Sequence, residues 1–378
     1  TVATNQFEDY ARGDFEQLSR EDGFANYDKA CGVPEEDAYV MSDETRKAVE
    51  ENVFGIYDGT KYNDDSDEMP KMEQDNGLQL ADLTGKSYDD EDWDKLLDQL
   101  SFEDMSTLIN VGGWQTAEIQ SVGKIATSDC DGPAGLNNFI TKTYGTAYPS
   151  EVLIAQTWNK DLAKEVGDSM GQEYVDADNF GWYGPAMNIH RSAFAGRNFE
   201  YYSEDGVLSG YMAANEMNGA AVKGVYPYIK HFALNDQETN RTSMLCTWAN
   251  EQAIREVYLK PFEKSVKDGG SLAVMSSFNY IGNCWAGGCS ELLEDVLRGE
   301  WGFKGFVETD YFGVYGYMNA DQAIRNGTDL MLVNYATEAN DMKYTETAGA
   351  QQKLRQSAKR ILYVVANSRQ YSELGIEQ

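Results

Sequence analysis

The sequence has little positive charge, almost no histidine and no long apolar run. Lys and Arg number 31 against 63 Asp and Glu, for a formal net charge of −32. A nucleic-acid backbone is held by Lys and Arg contacts, so this balance argues against nucleic acid or an anionic membrane as a partner. The only histidines, His190 and His231, leave no material for a His-rich metal centre. The cysteines are Cys31, Cys130, Cys246, Cys284 and Cys289; only Cys284 and Cys289 are close in sequence. No second pair or neighbouring His completes a metal site, and a disulfide framework is not expected, though one bridge stays open. The longest apolar run, Ile361 to Ala366, is far shorter than the roughly 20 residues that span a bilayer. No signal-peptide pattern opens the chain, and its first residue is Thr1 rather than Met, as in a processed or trimmed protein. The cellular address is not readable.

What is present fits an enzyme. The chain has 378 residues, 42% of them hydrophobic, enough for a large core, with 35 glycines and 24 tyrosines that suit loops handling a polar ligand. Residues 1–85 are rich in Asp, Glu, Asn and Tyr and weakly periodic. They read as an acidic extension or linker, with one short helix expected at 41–53 and a solvated loop at 63–75. From 86 to 378 the texture is that of a single domain. Trp93, Leu96, Leu97, Leu100, Met105 and Leu108 recur at helical spacing over 90–108.

Strand-like and helix-like segments then alternate. Strands are expected at 124–128, 182–187, 228–231, 272–277, 305–309 and 329–333. Helices are expected at 161–176, 206–223, 250–267, 291–298, 320–325 and 351–366. Alternation with short turns implies a parallel sheet, and this many βα units over about 290 residues favour a (β/α)8 TIM-like barrel. Asp131, His190, Lys230, His231 and Asp310 fall at or just after the ends of these apolar runs, where a barrel places its chemistry.

Each of these segments has a chemical reading. Phe306–Asp310 is an apolar strand ending in a carboxylate beside Tyr311 and Phe312, suited to attack on an anomeric carbon with an aromatic against the sugar face. Lys230 and His231 leave a strand together, and a charged donor roughly doubles the strength of a hydrogen bond to a hydroxyl. In the following loop, Glu238 and Arg241 are expected to pair structurally. Arg197 offers a planar fork of donors, and His190 reads as a packed support. Asp131, fixed by Gly132 and Pro133, can accept from adjacent hydroxyls.

Taken together, five segments resemble glycoside hydrolase family 3, in its β-glucosidase branch. They are DGPAGL at 131–136, GPAMNIHRSAFAGRNFEYYSE at 184–204, KHFALNDQETNR at 230–241, MSSFNY at 275–280 and GFKGFVETDYFG at 302–313. The resemblance covers roughly 90–370. It implies retaining, exo-acting hydrolysis of a β-glucoside or short β-linked oligosaccharide with Asp310 as nucleophile and no cofactor or metal. Asp131, Arg197, Lys230, His231, Met275 and Tyr311 would bind substrate.

Three departures stand out. Phe278 replaces a frequent Tyr. Glu308 occupies a usually apolar or small position and, sharing a strand face with Asp310, is expected to be neutralised by Lys230 or an Arg. Family glucosidases usually take their acid/base Glu from an α/β sandwich domain, and neither 1–85 nor the residues after Ala366 read as one. The chain would fit the tail of a permuted relative, or a barrel whose partner domain or partner chain supplies the acid. The rival readings are a sugar-binding module lacking its acid and, remotely, an aldolase using Lys230.

Overall fold

Strand-forming runs rich in Val, Ile and aromatics line up side by side in the computed structural model. It describes residues 66–334 apart from Asn283 and Val314, residues 347–368, and short pieces between 20 and 64. Strands β1 (Thr127–Asp131), β2 (Gly181–Tyr183), β3 (Tyr226–Phe232), β4 (Ala273–Ser276) and β5 (Phe306–Glu308) pair in parallel in that spatial order. The register sets Asp131 beside Tyr183 and Glu308 beside Met275. Leu330 adds a parallel bridge to Glu308. Backbone hydrogen bonds continue from Met331 N to Ile109 O (2.9 Å), from Gly113 N to Val333 O (3.0 Å) and from Asp129 N to Trp114 O (2.9 Å). The chain is an α/β fold.

The main helices are α1 (Phe102–Asn110), α2 (Lys160–Asp176), α3 (Gly206–Ala221), α4 (Lys260–Lys267), α5 (Glu291–Glu300), α6 (Ala320–Arg325) and α7 (Ala348–Ala366). Their starts are chemically marked. Asn159, Asp205, Asn319 and Thr347 each accept a first-turn N–H, the capping that these residue types provide. Helices α2 and α3 touch through glycines: a Cβ on Gly167 would lie 1.8 Å from Glu216 O, and one on Gly219 2.2 Å from Lys164 O. No described helix is long and apolar enough to cross a membrane. No disulfide joins Cys130, Cys246, Cys284 or Cys289, and Cys31 lies outside the described residues.

Several expectations shift, each for a local reason. The strand expected at 124–128 forms at Thr127–Asp131. Lys124 is instead drawn inward, its Nζ donating to the carbonyls of Ala117 (2.6 Å) and Ile125 (2.8 Å), and it pairs antiparallel with Ile119. The helix expected over 90–108 is two helices, because Ser101 caps α1 reciprocally with Asp104. Strand β2 stops before Pro185, and pairing resumes at Ala186 with Lys230. The helix expected over 250–267 widens at Leu259, whose N–H reaches Ile254 O (2.8 Å) just before Pro261. The helix expected at 41–53 falls, apart from a few positions, outside the described residues. Leu80 and Leu83, from the segment read as an extension, are buried in the core beside Leu354 and Ile361 of α7.

A buried clamp ties the later units together. Asp329 accepts from Val307 N (2.9 Å), Arg298 (2.6 Å), Ser357 (2.9 Å) and Arg360 (3.0 Å), joining β5, α5 and α7. Both carboxylate oxygens are met, by two arginines, a serine hydroxyl and a backbone N–H, which offsets the cost of burying it.

Candidate active site

The carboxyl ends of β1, β3 and β5 converge on one polar cluster. Asp131 is the last residue of β1, Lys230 and His231 lie near the end of β3, and Asp310 follows β5 by two residues. Lys230 Nζ donates to Asp131 Oδ1 at 2.8 Å and stands 3.9 Å from Glu200 Oε1. Gly132 N donates to the same Asp131 oxygen at 2.9 Å. Burial alone would raise the Asp131 pKa, but the Lys230 charge and hydrogen bond outweigh it and hold the carboxyl below its usual value.

From that pair, charges alternate around the mouth. Arg197, on the loop after β2, donates through Nε to Glu200 Oε2 and lies 3.6 Å from Glu238 Oε1. Arg241, on the loop after β3, pairs through Nε with Glu238 Oε2 at 2.9 Å and reaches Asp310 Oδ2 at 3.5 Å. The Arg241 guanidinium also sits 4.7 Å from the Phe278 ring centre. The series Asp131–Lys230–Glu200–Arg197–Glu238–Arg241–Asp310 is thus continuous and alternating in sign.

Asp310 is 9% exposed. Its Oδ1 accepts from Tyr311 N at 2.7 Å. Burial raises its pKa, opposed by the Arg241 and Arg197 charges. His231 Nε2 lies 3.8 Å from Asp310 Oδ2, and its Nδ1 is 3.5 Å from the Tyr201 hydroxyl. Burial, helped by the charges of Arg197, Lys230 and Arg241, pushes the imidazole pKa well down, so this histidine is neutral. Its backbone is held by Asn188, which accepts from His231 N at 2.8 Å and donates to His231 O at 3.0 Å. A neutral imidazole, a lysine and two arginines around a sheltered carboxylate can bind a polyhydroxylated ring and leave the carboxylate free to attack.

The chain matches the Glycosyl hydrolase family 3 N terminal domain over residues 108–364. It belongs to glycosyl hydrolase family 3. Among this family 3 chain's curated relatives are Beta-glucosidase A of Butyrivibrio fibrisolvens, 41% identical over 57% of this chain and 27% of that one. Beta-glucosidase B of Emericella nidulans is 38% identical over 63% of this chain and 28% of its own length. Among solved structures, beta-glucosidase 3B from Thermotoga neapolitana in complex with glucose has a TM-score of 0.68 at 34% identity, covering 75% of this chain and 44% of that one. A beta-glucosidase from Paenibacillus barengoltzii gives 0.71 at 28% identity, covering 84% and 37%. The chain therefore spans roughly a quarter of those curated relatives and under half of those solved chains.

Within this family 3 domain the structure brings Asp131, Arg197, Lys230, His231 and Asp310 into one network. Tyr311 touches it through its backbone N–H to Asp310, its ring 6.1 Å from Trp114, while Met275 lies in the apolar core cluster that also holds Phe278. His190 is the support expected, its Nε2 2.8 Å from Tyr201 O. The expected Glu238–Arg241 pair forms, but Arg241 is not merely structural, since it also reaches Asp310. A Glu and Arg three apart on a strand-exit loop signal the pair; the partner 69 residues away has no local signal. Glu200 was likewise missed as the acidic partner shared by Arg197 and Lys230.

Glu308 corrects the expectation most clearly. Among the described residues no Lys or Arg pairs with it, because Lys230 is committed to Asp131 and Glu200. The Tyr183 hydroxyl donates to its Oε1 at 3.5 Å and its Oε2 is unpartnered. Burial, then the nearby Asp129 carboxyl, raises its pKa well above the usual value, so it is neutralised by its own proton instead of a cation.

Proposed function

We propose that this chain carries the sugar-cleaving centre of a retaining, exo-acting β-glucosidase, removing terminal non-reducing β-D-glucosyl residues through a glycosyl-enzyme on Asp310. The observation that carries the reading is Asp310 itself: a sheltered carboxylate with Arg241 and neutral His231 on one oxygen and a backbone N–H on the other. The β-glucosidases among its relatives support the choice of sugar.

In this reading the strands and bridges form a (β/α)8 barrel, with 109–114 joining its two edges, as the hydrogen bonds of Met331, Gly113 and Asp129 suggest. The barrel domain is assigned to 86–378 and the segment 1–85 to an extension whose end packs on it.

Asp131 and Lys230 receive the sugar's hydroxyls, with Arg197 and His231 beside them; Met275 and Tyr311 form apolar walls. The Asp310 carboxylate attacks C1, the bond to the leaving oxygen breaks, and that oxygen takes a proton from a general acid. Water, deprotonated by the same group, then attacks C1, releases Asp310 and gives glucose with retained configuration. The acid/base Glu is assigned to an α/β sandwich domain or partner chain, in keeping with the small share of the relatives' length that this chain spans. A nitrophenyl leaving group needs little acid assistance, so proton NMR of the glucose first released from 4-nitrophenyl β-glucoside is the test. The β-anomer is expected; the α-anomer would overturn the retaining mechanism.

A further inference from the structure

Two sulfur atoms meet in the segment between β4 and α5, and neither belongs to the network around Asp310. Cys284 opens a short strand, Cys284–Trp285, that pairs antiparallel with Tyr280–Ile281 and sets Cys284 opposite Ile281. The chain then folds back through the buried turn Ala286–Gly288 and reaches Cys289 just before the start of α5. There Cys284 Sγ donates to Gly288 O at 3.5 Å, and the two cysteine side chains hydrogen-bond each other.

The turn is held from several sides. Ala286 N donates to Asn279 O (3.0 Å), Trp285 Nε1 to Ser277 O (3.1 Å) and the Thr328 hydroxyl to Gly287 O (2.8 Å). A Cβ on Gly287 would stand 2.4 Å from the Trp285 ring, so this close fold-back needs glycine there. Sulfur atoms already brought together by the fold lose little further freedom on bonding.

Their surroundings differ, and the difference gives each a role. Cys284 is half-buried and keeps some contact with solvent, whereas Cys289 is fully buried. Burial, then the neighbouring Cys284 and the Glu291 charge, pushes the Cys289 thiol pKa well up. Two neighbours help it to react. The Leu292 N–H in the first turn of α5 bonds to the Cys289 sulfur and favours its thiolate. Cys289 Sγ also donates to Glu291 Oε2 at 3.8 Å, a carboxylate placed to take its proton.

We propose that Cys284 and Cys289 form a reversible dithiol–disulfide site, oxidised by exchange with a low-molecular-weight disulfide. The Cys284 thiolate attacks one sulfur of the reagent RSSR, which gives a mixed disulfide and expels RS⁻. Cys289 then passes its proton to Glu291, its sulfur attacks the Cys284 sulfur, and a second RS⁻ leaves. The two expelled thiolates take up the protons lost by the two cysteines. In sum, two protein thiols are oxidised to one disulfide and RSSR is reduced to two RSH.

The test exposes the full chain to oxidised glutathione, quenches with acid, alkylates every remaining thiol after unfolding, and reads the tryptic peptide 268–298, which carries both cysteines, by mass spectrometry. The expected peptide is lighter by two hydrogens, with neither cysteine alkylated, and dithiothreitol restores both thiols, while Cys130 and Cys246 are alkylated throughout. Cys289→Ser is expected to stop with glutathione on Cys284. Glu291→Gln is expected to slow closure of the mixed disulfide about tenfold or more. Alkylation of both cysteines of the unmutated peptide, glutathione retained on Cys284 beside an intact Cys289 thiol, or a link from either cysteine to Cys246 would overturn the proposal. Unchanged closure in Glu291→Gln would overturn the part given to Glu291.

Discussion

Glu308 and Asp310 lie two residues apart, yet their carboxyl groups belong to two different regions. At the mouth, every carboxylate in the series from Asp131 to Asp310 has an arginine or lysine neighbour. One layer below, Asp129 and Glu308 are met by tyrosines. Tyr226 and Tyr228 donate to Asp129 at 2.7 and 2.6 Å, and Tyr183 faces Glu308. The rings of Tyr183 and Tyr228 pack edge to face at 4.8 Å, so the tyrosines both fill this layer and supply its donors. Burial raises the Asp129 pKa to about 6 despite the two phenol hydrogen bonds. The acids at the mouth are paired with cations, whereas those below meet phenols, and burial raises the pKa of both Asp129 and Glu308.

The sharpest way to break this contrast is the same amide swap in both regions. Asp310→Asn is expected to lower hydrolysis of 4-nitrophenyl β-glucoside by about 10³-fold or more, since an amide does not form the glycosyl ester. Lys230→Met is next: it strips Asp131 of its cation and should lower kcat/KM by roughly 10²-fold, mostly through KM, as sugar titrations would show. Arg241→Met should cost less at neutral pH but change the pH profile. The Arg241 charge lowers the Asp310 pKa, so its loss raises that pKa further and moves the acid limb of kcat/KM to higher pH. An unmoved limb would show that Arg241 does not set the charge of Asp310.

Glu308→Gln should change kcat/KM by less than about threefold, because an amide mimics a protonated acid. A further buried acid, Glu216, sharpens the same point through stability. It takes a 2.6 Å hydrogen bond from Tyr202, and burial raises its pKa from 4.5 to about 8. The folded state then holds a proton that the unfolded chain releases, so stability falls as pH rises from about 4.5 to about 8 and levels off above. Glu216→Gln should recover on the order of 1–3 kcal/mol at pH 8 relative to pH 5, read from urea unfolding at both pH values.

Much of the mouth was legible because its logic is local. An apolar run that ends in Lys-His or in Thr-Asp places polar atoms at a strand exit, and Lys230, His231 and Asp310 are found there. The helix Ala320–Arg325 forms where expected, bounded by its Asn319 cap. The inner layer was not legible in the same way. Period-two alternation puts Glu308 on the face of Asp310, but not the phenols contributed by β2 and β3 that surround it. Lys124 read as a strand start because a buried lysine satisfied by carbonyls leaves no mark on periodicity. Arg241 disclosed its near partner and concealed its distant one.

The account stands most directly on mass spectrometry of protein treated with a 2-deoxy-2-fluoro-β-glucoside bearing a good leaving group. One covalent sugar on the peptide containing Asp310, absent in Asp310→Asn and still formed in Glu308→Gln, is the predicted result. Labelling at another carboxylate, or persisting when Asp310 is replaced, would contradict it.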